Sequence, residues 1–270
     1  MQAGPLAHSS PENPMTTLAK RSKIEIQFLG QVHIHAESGS IIVNDKKAIL
    51  LMFVLAVRGA TSRQQMASLL WPGTDAEHSQ GSLRLRIHKI NRLCPGLIQS
   101  HLNSIFFSAP VGHDIGFLTA DEEIPLSVAL DAHRDNLIGS LDFPENPQLN
   151  AMLGHYKSQL VSKSTSLLYK HARAAATSRS LDQAVYFLNR ILLLSPHNET
   201  ACRNLMRVHV LNGCRATAIE TYEAFRRNMR ESLGIEPDSK TKRLHLDILS
   251  AQDDPDYQTR ISEALDSMIL

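Results

Sequence analysis

The sequence predicts two unlike halves, an α+β domain at the N-terminus followed by an all-α domain of helical repeats. Three observations carry this reading. Residues 23–112 pass from period-two hydrophobicity to helical periodicity and back to a hairpin pattern. Residues 113–270 keep helical periodicity, and Ala184 and Ala218 stand 34 residues apart in two helices that each follow a turn. Charge divides at the same place: residues 1–112 hold 11 Lys or Arg against 6 Asp or Glu and residues 113–270 hold 17 against 21, so +5 meets −4 in a chain of formal net charge +1.

Residues 1–22 carry Pro5, Pro11 and Pro14 among serines and threonines without periodicity, which reads as a disordered arm. From Lys23, KIEIQF and VHIH alternate and SIIVN is short and β-branched, with ESGS as a turn between the last two: three short antiparallel strands. Asn44 or Asp45 caps a first helix running to about Arg58, where Gly59 stops it. Its ten-residue apolar run, Ala48 to Val57, suits a central helix covered on most sides. A bilayer span needs roughly 20 residues, and residues 1–19 lack a hydrophobic segment, so no membrane partner is expected.

Thr61 with Gln64, or Ser62 with Gln65, fits a capping box that opens a second helix through Leu70, ended by Trp71-Pro72-Gly73. Thr74 with Glu77 fits another, opening a third helix to about Leu93, where Cys94-Pro95-Gly96 stops it. LIQSHLNSIFFS then gives two strands around a polar turn at Ser100 to Asn103. Strands, three helices and a hairpin, in that order, make a winged helix-turn-helix, whose third helix enters the major groove of DNA.

The third helix has the composition for that task. On a wheel of 100° per residue, Leu83, Ile87 and Ile90 fall within about 60° of one another as a buried stripe. Arg84, Leu85, His88, Lys89 and Arg92 lie opposite, with Arg86 at a flank. Arg and Lys reach guanine edges or phosphates, and Leu85 suits a thymine methyl. Lys20, Arg21, Lys23, Lys46, Lys47 and Arg63 are further candidates for phosphate contacts.

In the second half, a helix over roughly His155 to Ala176 pairs with the one bearing Ala184, and a helix from Asn198 to Asn212, closed by Gly213, pairs with the one bearing Ala218. Pro196 separates the pairs, and the small alanines allow close helix approach, so the domain is TPR-like. Asn198-Glu-Thr is formally a glycosylation sequon, but helix capping explains it.

Catalytic and metal readings find little support. Cys94, Cys202 and Cys214 form no C-x-x-C pair, and His33 and His35 share a strand face without a third ligand. Phosphate-loop, dinucleotide, nucleophile-elbow and zinc-protease signatures are absent, and the acids Asp121-Glu122-Glu123 and Asp253-Asp254 sit in polar stretches. A protein that is not an enzyme and needs no cofactor is expected.

MASLLWPGTDAEHSQGSLRLRIHKINRL, taken with ETACRNLMRVHVLNGCRATAIETYEAFRRNMRESLGIEPDSKTKRL, resembles the SARP-like regulators. These bacterial transcriptional activators join an OmpR-type winged helix to a bacterial transcriptional activation domain. ESLGIEP is the most specific stretch, following Glu199, Gly213, Ala218 and Tyr222; the likeness covers roughly residues 23–250 and is strongest from 181 to 244. It implies a cytoplasmic, nucleoid-associated factor that binds double-stranded DNA at promoter repeats, often as a side-by-side homodimer, and recruits RNA polymerase. It also implies base contacts from Arg84, His88 and Lys89, phosphate contacts from Ser82, Arg86 and Arg92, and a wing at His101 and Asn103. The short link from Trp71 to Thr74 implies a reduced polymerase-contacting loop. Relatives often continue into an ATPase or sensor module, so a short regulator or a fragment of a larger one is expected.

The expected organisation is an arm at 1–22, the winged helix at 23–112, the activation domain at 113–250 and a tail at 251–270. The rival reading is a protein-interaction adaptor with TPR-like hairpins and a degenerate winged helix, and a third is a ligand-sensing domain in the helical groove.

Overall fold

The computed structural model describes residues 24–108, 110–120, 122–133 and 136–251, together with Tyr257, Thr259 and Ile261. The expected arm, most of the tail, and Lys20, Arg21, Lys23, Asp121 and Asp253-Asp254 lie outside the described residues.

Alternation builds the first sheet: β1 (Glu25–Gln27), β2 (His33–Ala36) and β3 (Gly39–Ile42) run antiparallel, with Ile26 opposite Ile34 and Ile34 opposite Ile41. A short strand after the wing, β7 (Gly112–His113), adds to β1 in parallel, giving the order β3-β2-β1-β7. The boundary read at 112/113 therefore falls inside a paired strand. His33 and His35 stack at 5.7 Å on this sheet, and no cluster of potential metal ligands occurs among the described residues.

Helix α1 (Lys46–Arg58) is capped by Asp45, which accepts from the Lys47 and Ala48 amides at 3.1 and 3.2 Å. Eight consecutive residues, Ala48 to Leu55, are buried because the first sheet, the next two helices and the second half cover it from different sides. Gly59 stops it with φ 70°, a conformation costly for any side chain. Ser62, rather than Thr61, caps α2 (Arg63–Leu70) through the Gln65 amide at 3.1 Å. Thr61 is free of that task and joins Ser62 in β4 (Thr61–Ser62). Asp75, one residue later than the capping box predicts, caps α3 (Ala76–Leu93) through the His78 amide at 3.0 Å. The hairpin of β5 (Ile98–His101) and β6 (Ser104–Phe107) pairs with β4 in the order β4-β6-β5.

Beyond β7 and a short helix α4 (Leu126–Asp131), α5 (Pro147–Thr177) starts earlier than its periodicity predicts, because Asn146 caps it through the Leu149 amide at 3.0 Å. The hairpins are α5 with α6 (Leu181–Leu194) and α7 (Glu199–Leu211) with α8 (Arg215–Leu233). Ala184 and Ala218 are both fully buried. The turns match bond for bond at the same offset: the Ser178, Arg179 and Ser180 amides reach the carbonyls of Ala174, Ala176 and Ala175, and those of Asn212, Gly213 and Cys214 reach Val208, Val210 and His209. Arg179 takes the positive φ of 60° that Gly213 holds at 72°. Asn198 caps α7 through the Ala201 amide at 3.0 Å.

Helix α9 (Ser239–Ser250) packs next along the array, and the ESLGIEP stretch explains its placement. Gly234 ends α8 in the left-handed conformation, φ 68°. Glu236 turns back to accept from Arg226 at 2.9 Å and from Arg230. Asp238 caps α9 through the Thr241 amide and pairs with Arg203 of α7 at 3.0 Å, while Glu199 accepts from the Asp238 amide at 2.8 Å. A left-handed glycine and three acids thus join three helices.

The two halves share one core. Asn146, buried, donates to the Leu69 carbonyl of α2 at 2.6 Å, and Phe53 of α1 meets Tyr156 of α5 edge-on at 5.5 Å. Asp114 accepts from the Phe28 and Leu29 amides at 2.8 and 3.0 Å, and Lys163 of α5 donates to the Phe117 carbonyl at 2.6 Å.

Burial gives this core a pH dependence. Desolvation pushes the pKa values of His113 and His209 below the ordinary 6.5, the nearby acids Asp114 and Glu122 opposing it for His113. The unfolded chain then binds the proton first, so stability present above pH 6.5 is lost as pH falls through that value toward the depressed folded pKa. We expect the melting temperature to drop between neutral pH and mildly acidic pH, and to drop less in His209→Gln.

Candidate nucleic-acid interface

Helix α3 buries Ser79, Leu83, Ile87 and Ile90 and leaves the opposite side open. Arg84, Leu85, His88, Lys89 and Arg92 are exposed, Leu85 at 65%, and among the described residues none of the four basic side chains has a hydrogen-bond or ion-pair partner. Arg84, Lys89 and Arg92, at i, i+5 and i+8 with His88 at i+4 and no acid between them, hold a positive ridge on one helix face. Ser82 is half-buried at the edge of that face.

Arg86 does not join the ridge. Its guanidinium pairs with Asp45 Oδ2, the carboxylate whose other oxygen caps α1, so it fastens α3 to the start of α1. A phosphate contact there would need this half-buried pair to open. Asp45→Ala removes both functions, and loss of the cap alone should cost about 1–2 kcal/mol, read as a lower denaturant midpoint. The partly exposed ion pair adds less than about 1 kcal/mol.

Lys47 is likewise turned inward. It donates to the Leu70 carbonyl and lies over the rings of Trp71 and Phe143 at 5.8 and 5.6 Å, and burial lowers its pKa against the opposing pull of Glu145. Of the further basic candidates, Lys46 stays exposed, and Arg63 is half-buried, donating to the Ser100 hydroxyl at 3.0 Å.

The wing is built on the same scaffold. His101, Leu102 and Asn103 are exposed at the β5–β6 turn, with Leu102 at φ 51° and 91% exposure. The Asn103 carbonyl accepts from the Arg63 amide at 2.7 Å, which ties the turn to the start of α2. Asn91, which the sequence reading passed over, makes the second tie. Its side chain donates to the Ile98 carbonyl at 2.8 Å and accepts from the Ile98 amide at 2.9 Å, locking β5 to the last turn of α3. An amide in the last turn of a helix, where polar side chains compete with the backbone, was the available signal. Helix and wing are therefore held in one orientation by the paired bonds of the Asn91 side chain to Ile98 and by the backbone bond from Arg63 to Asn103.

Burial raises the pKa values of Cys94 and Cys202, the latter to about 12, so neither thiol is activated.

Comparison with known proteins agrees with this architecture. Residues 125–249 match the bacterial transcriptional activator domain. The chain is 21% identical over 248 residues to the transcriptional regulatory protein MoaR1 of Mycobacterium bovis BCG, covering 84% of this chain and 79% of the relative, and the MoaR1 of Mycobacterium tuberculosis matches equally. Among solved structures, Mycobacterium tuberculosis EmbR in complex with a low-affinity phosphopeptide superposes with a TM-score of 0.60 at 14% identity, over 91% of this chain and 68% of that one. The matched residues run from the start of α4 into α9, so the helical array is the part that resembles the activator domain, and the β-containing unit lies ahead of it. No helix among the described residues is long and apolar enough to cross a membrane.

Proposed function

We propose that this chain, a transcriptional regulator with a bacterial transcriptional activator domain behind a winged helix, binds double-stranded DNA with α3 in the major groove and the β5–β6 turn beside the adjacent minor groove. The observation that carries the reading is the unpartnered ridge of Arg84, His88, Lys89 and Arg92 on a helix whose other face is sealed into the core. Arg84, His88 and Lys89 read base edges, Leu85 meets thymine methyls, and Arg92 and Ser82 hold phosphates. His101 and Asn103 follow the backbone at the wing. Residues 125–249 then serve to contact RNA polymerase or a second copy on a promoter repeat.

Gel shifts of genomic fragments at two salt concentrations test this. A band that resists nonspecific competitor and weakens steeply with salt supports the reading. A protein of normal fold that gives no such band on any fragment overturns it in favour of the adaptor. Selection of bound sequences from random DNA would then show whether two half-sites repeat in the same direction, as a side-by-side dimer requires.

A further inference from the structure

A cleft of about 610 Å³ opens between the middle of α5 and the connection from α6 to α7, inside the range of roughly 300–1,000 Å³ typical of small-molecule sites. Helix α5 lines it with hydroxyls: Ser158, Ser162, Thr165 and Ser166 recur at helical spacing along one flank. The facing wall is Leu194, Pro196 and His197, and Val161 adds a second apolar surface. Tyr169 and Asn198 close one end, the phenol donating to Asn198 Oδ1 at 2.8 Å. Burial raises the Tyr169 pKa to about 12, so this end stays neutral.

Two features set the cleft apart from an ordinary surface groove. Thr165 Oγ1 and His197 Nε2 lie in its wall shut off from water and without hydrogen-bond partners, an arrangement proteins seldom leave unused. Also, among the described residues no Lys, Arg, Asp or Glu lines the cleft, whereas a neighbouring groove on the other side of Ser166 is lined by Glu122, Glu123, Lys163 and Lys170. A charged guest would shed its hydration with no counter-charge to replace it.

We propose that this cleft is a binding site for a small uncharged molecule with an apolar body and a hydrogen-bonding edge, such as an alcohol or amide. The hydroxyl row of α5 takes the polar edge, with Thr165 turning its hydroxyl into the cleft by a rotamer change. Val161, Leu194 and Pro196 take the apolar body. The site begins half a turn beyond Tyr156, whose ring meets Phe53 of the winged helix, so an occupant rests on the same helix that anchors the other half.

Fluorine NMR on the full chain tests the site with para-trifluoromethyl benzyl alcohol and benzamide as neutral probes and the matching benzoate and benzylamine as charged ones. The neutral pair should broaden several-fold more than the charged pair. Ser162→Trp places a bulky ring across the mouth from an exposed helix position and should abolish the difference, and Ser158→Trp repeats the block from the neighbouring turn. Thr165→Val, equal in shape, should weaken the neutral signal without changing the melting temperature. Equal broadening of all four probes, unchanged broadening in both tryptophan variants, or no broadening by any probe would overturn the assignment. The outcome is independent of DNA binding.

Discussion

Phe53→Ala is expected to lower stability by about 3–5 kcal/mol, the range for removing a buried aromatic side chain. Phe53 is fully buried in the middle of α1. Its ring meets Phe28 of the first half edge-on at 5.8 Å and Tyr156 of the second at 5.5 Å, both close to perpendicular. Removing it opens a cavity where the halves join, and the residues around it are held by backbone hydrogen bonds that resist collapse. The measurement is the denaturant midpoint with its slope unchanged. Phe53→Leu, which retains most of the volume, should cost markedly less. A loss under 1 kcal/mol in the alanine variant would mean that the interface between the halves contributes little. A second transition appearing in the variant would show that this ring couples them.

Local chemistry accounts for the elements the sequence makes visible. The run from Ala48 to Val57 has no polar face, so a helix there has to sit in the centre, and eight of its residues are buried. Ser62, Asp45 and Asn198 each cap the helix they precede, since a short polar side chain beside the first turn satisfies amides that nothing else can reach. The 34-residue spacing survives as two turns with the same hydrogen bonds, even where Arg179 stands in place of glycine.

Partners distant in sequence account for the rest. Arg86 looks like another groove cation until Asp45, 41 residues earlier, is brought against it. Lys47 looks solvated until the end of α2 and Phe143 close over it. The pairing of β7 with β1, and the bond from Asn146 to the Leu69 carbonyl, join segments 77 or more residues apart for which periodicity has no signal. The same distance hides the cleft beside α5, whose serines read along the chain as an ordinary exposed helix face.

On the DNA-binding reading, Arg84→Ala and Arg92→Ala should fail in different ways, and the difference tests how the ridge is divided. Arg84 sits one turn before His88, near the middle of the exposed face, where a guanidinium placed in the major groove meets base edges. Its loss should weaken specific binding by about 1–3 kcal/mol, or roughly 5- to 150-fold, and relax preference at one base pair. Nonspecific binding should change much less. Arg92 lies in the last turn, two residues before the Cys94 cap, toward the phosphate rail. Its loss should weaken binding to all sequences alike and flatten the salt dependence by about 0.9 log units per log unit of salt. Both positions are exposed and unpartnered, so neither substitution should move the melting temperature, and a change in binding reports the contact rather than the fold. Equal, sequence-independent losses in the two variants would refute the division, leaving α3 as a purely electrostatic clamp. In that case sequence preference would have to come from DNA shape read at the wing.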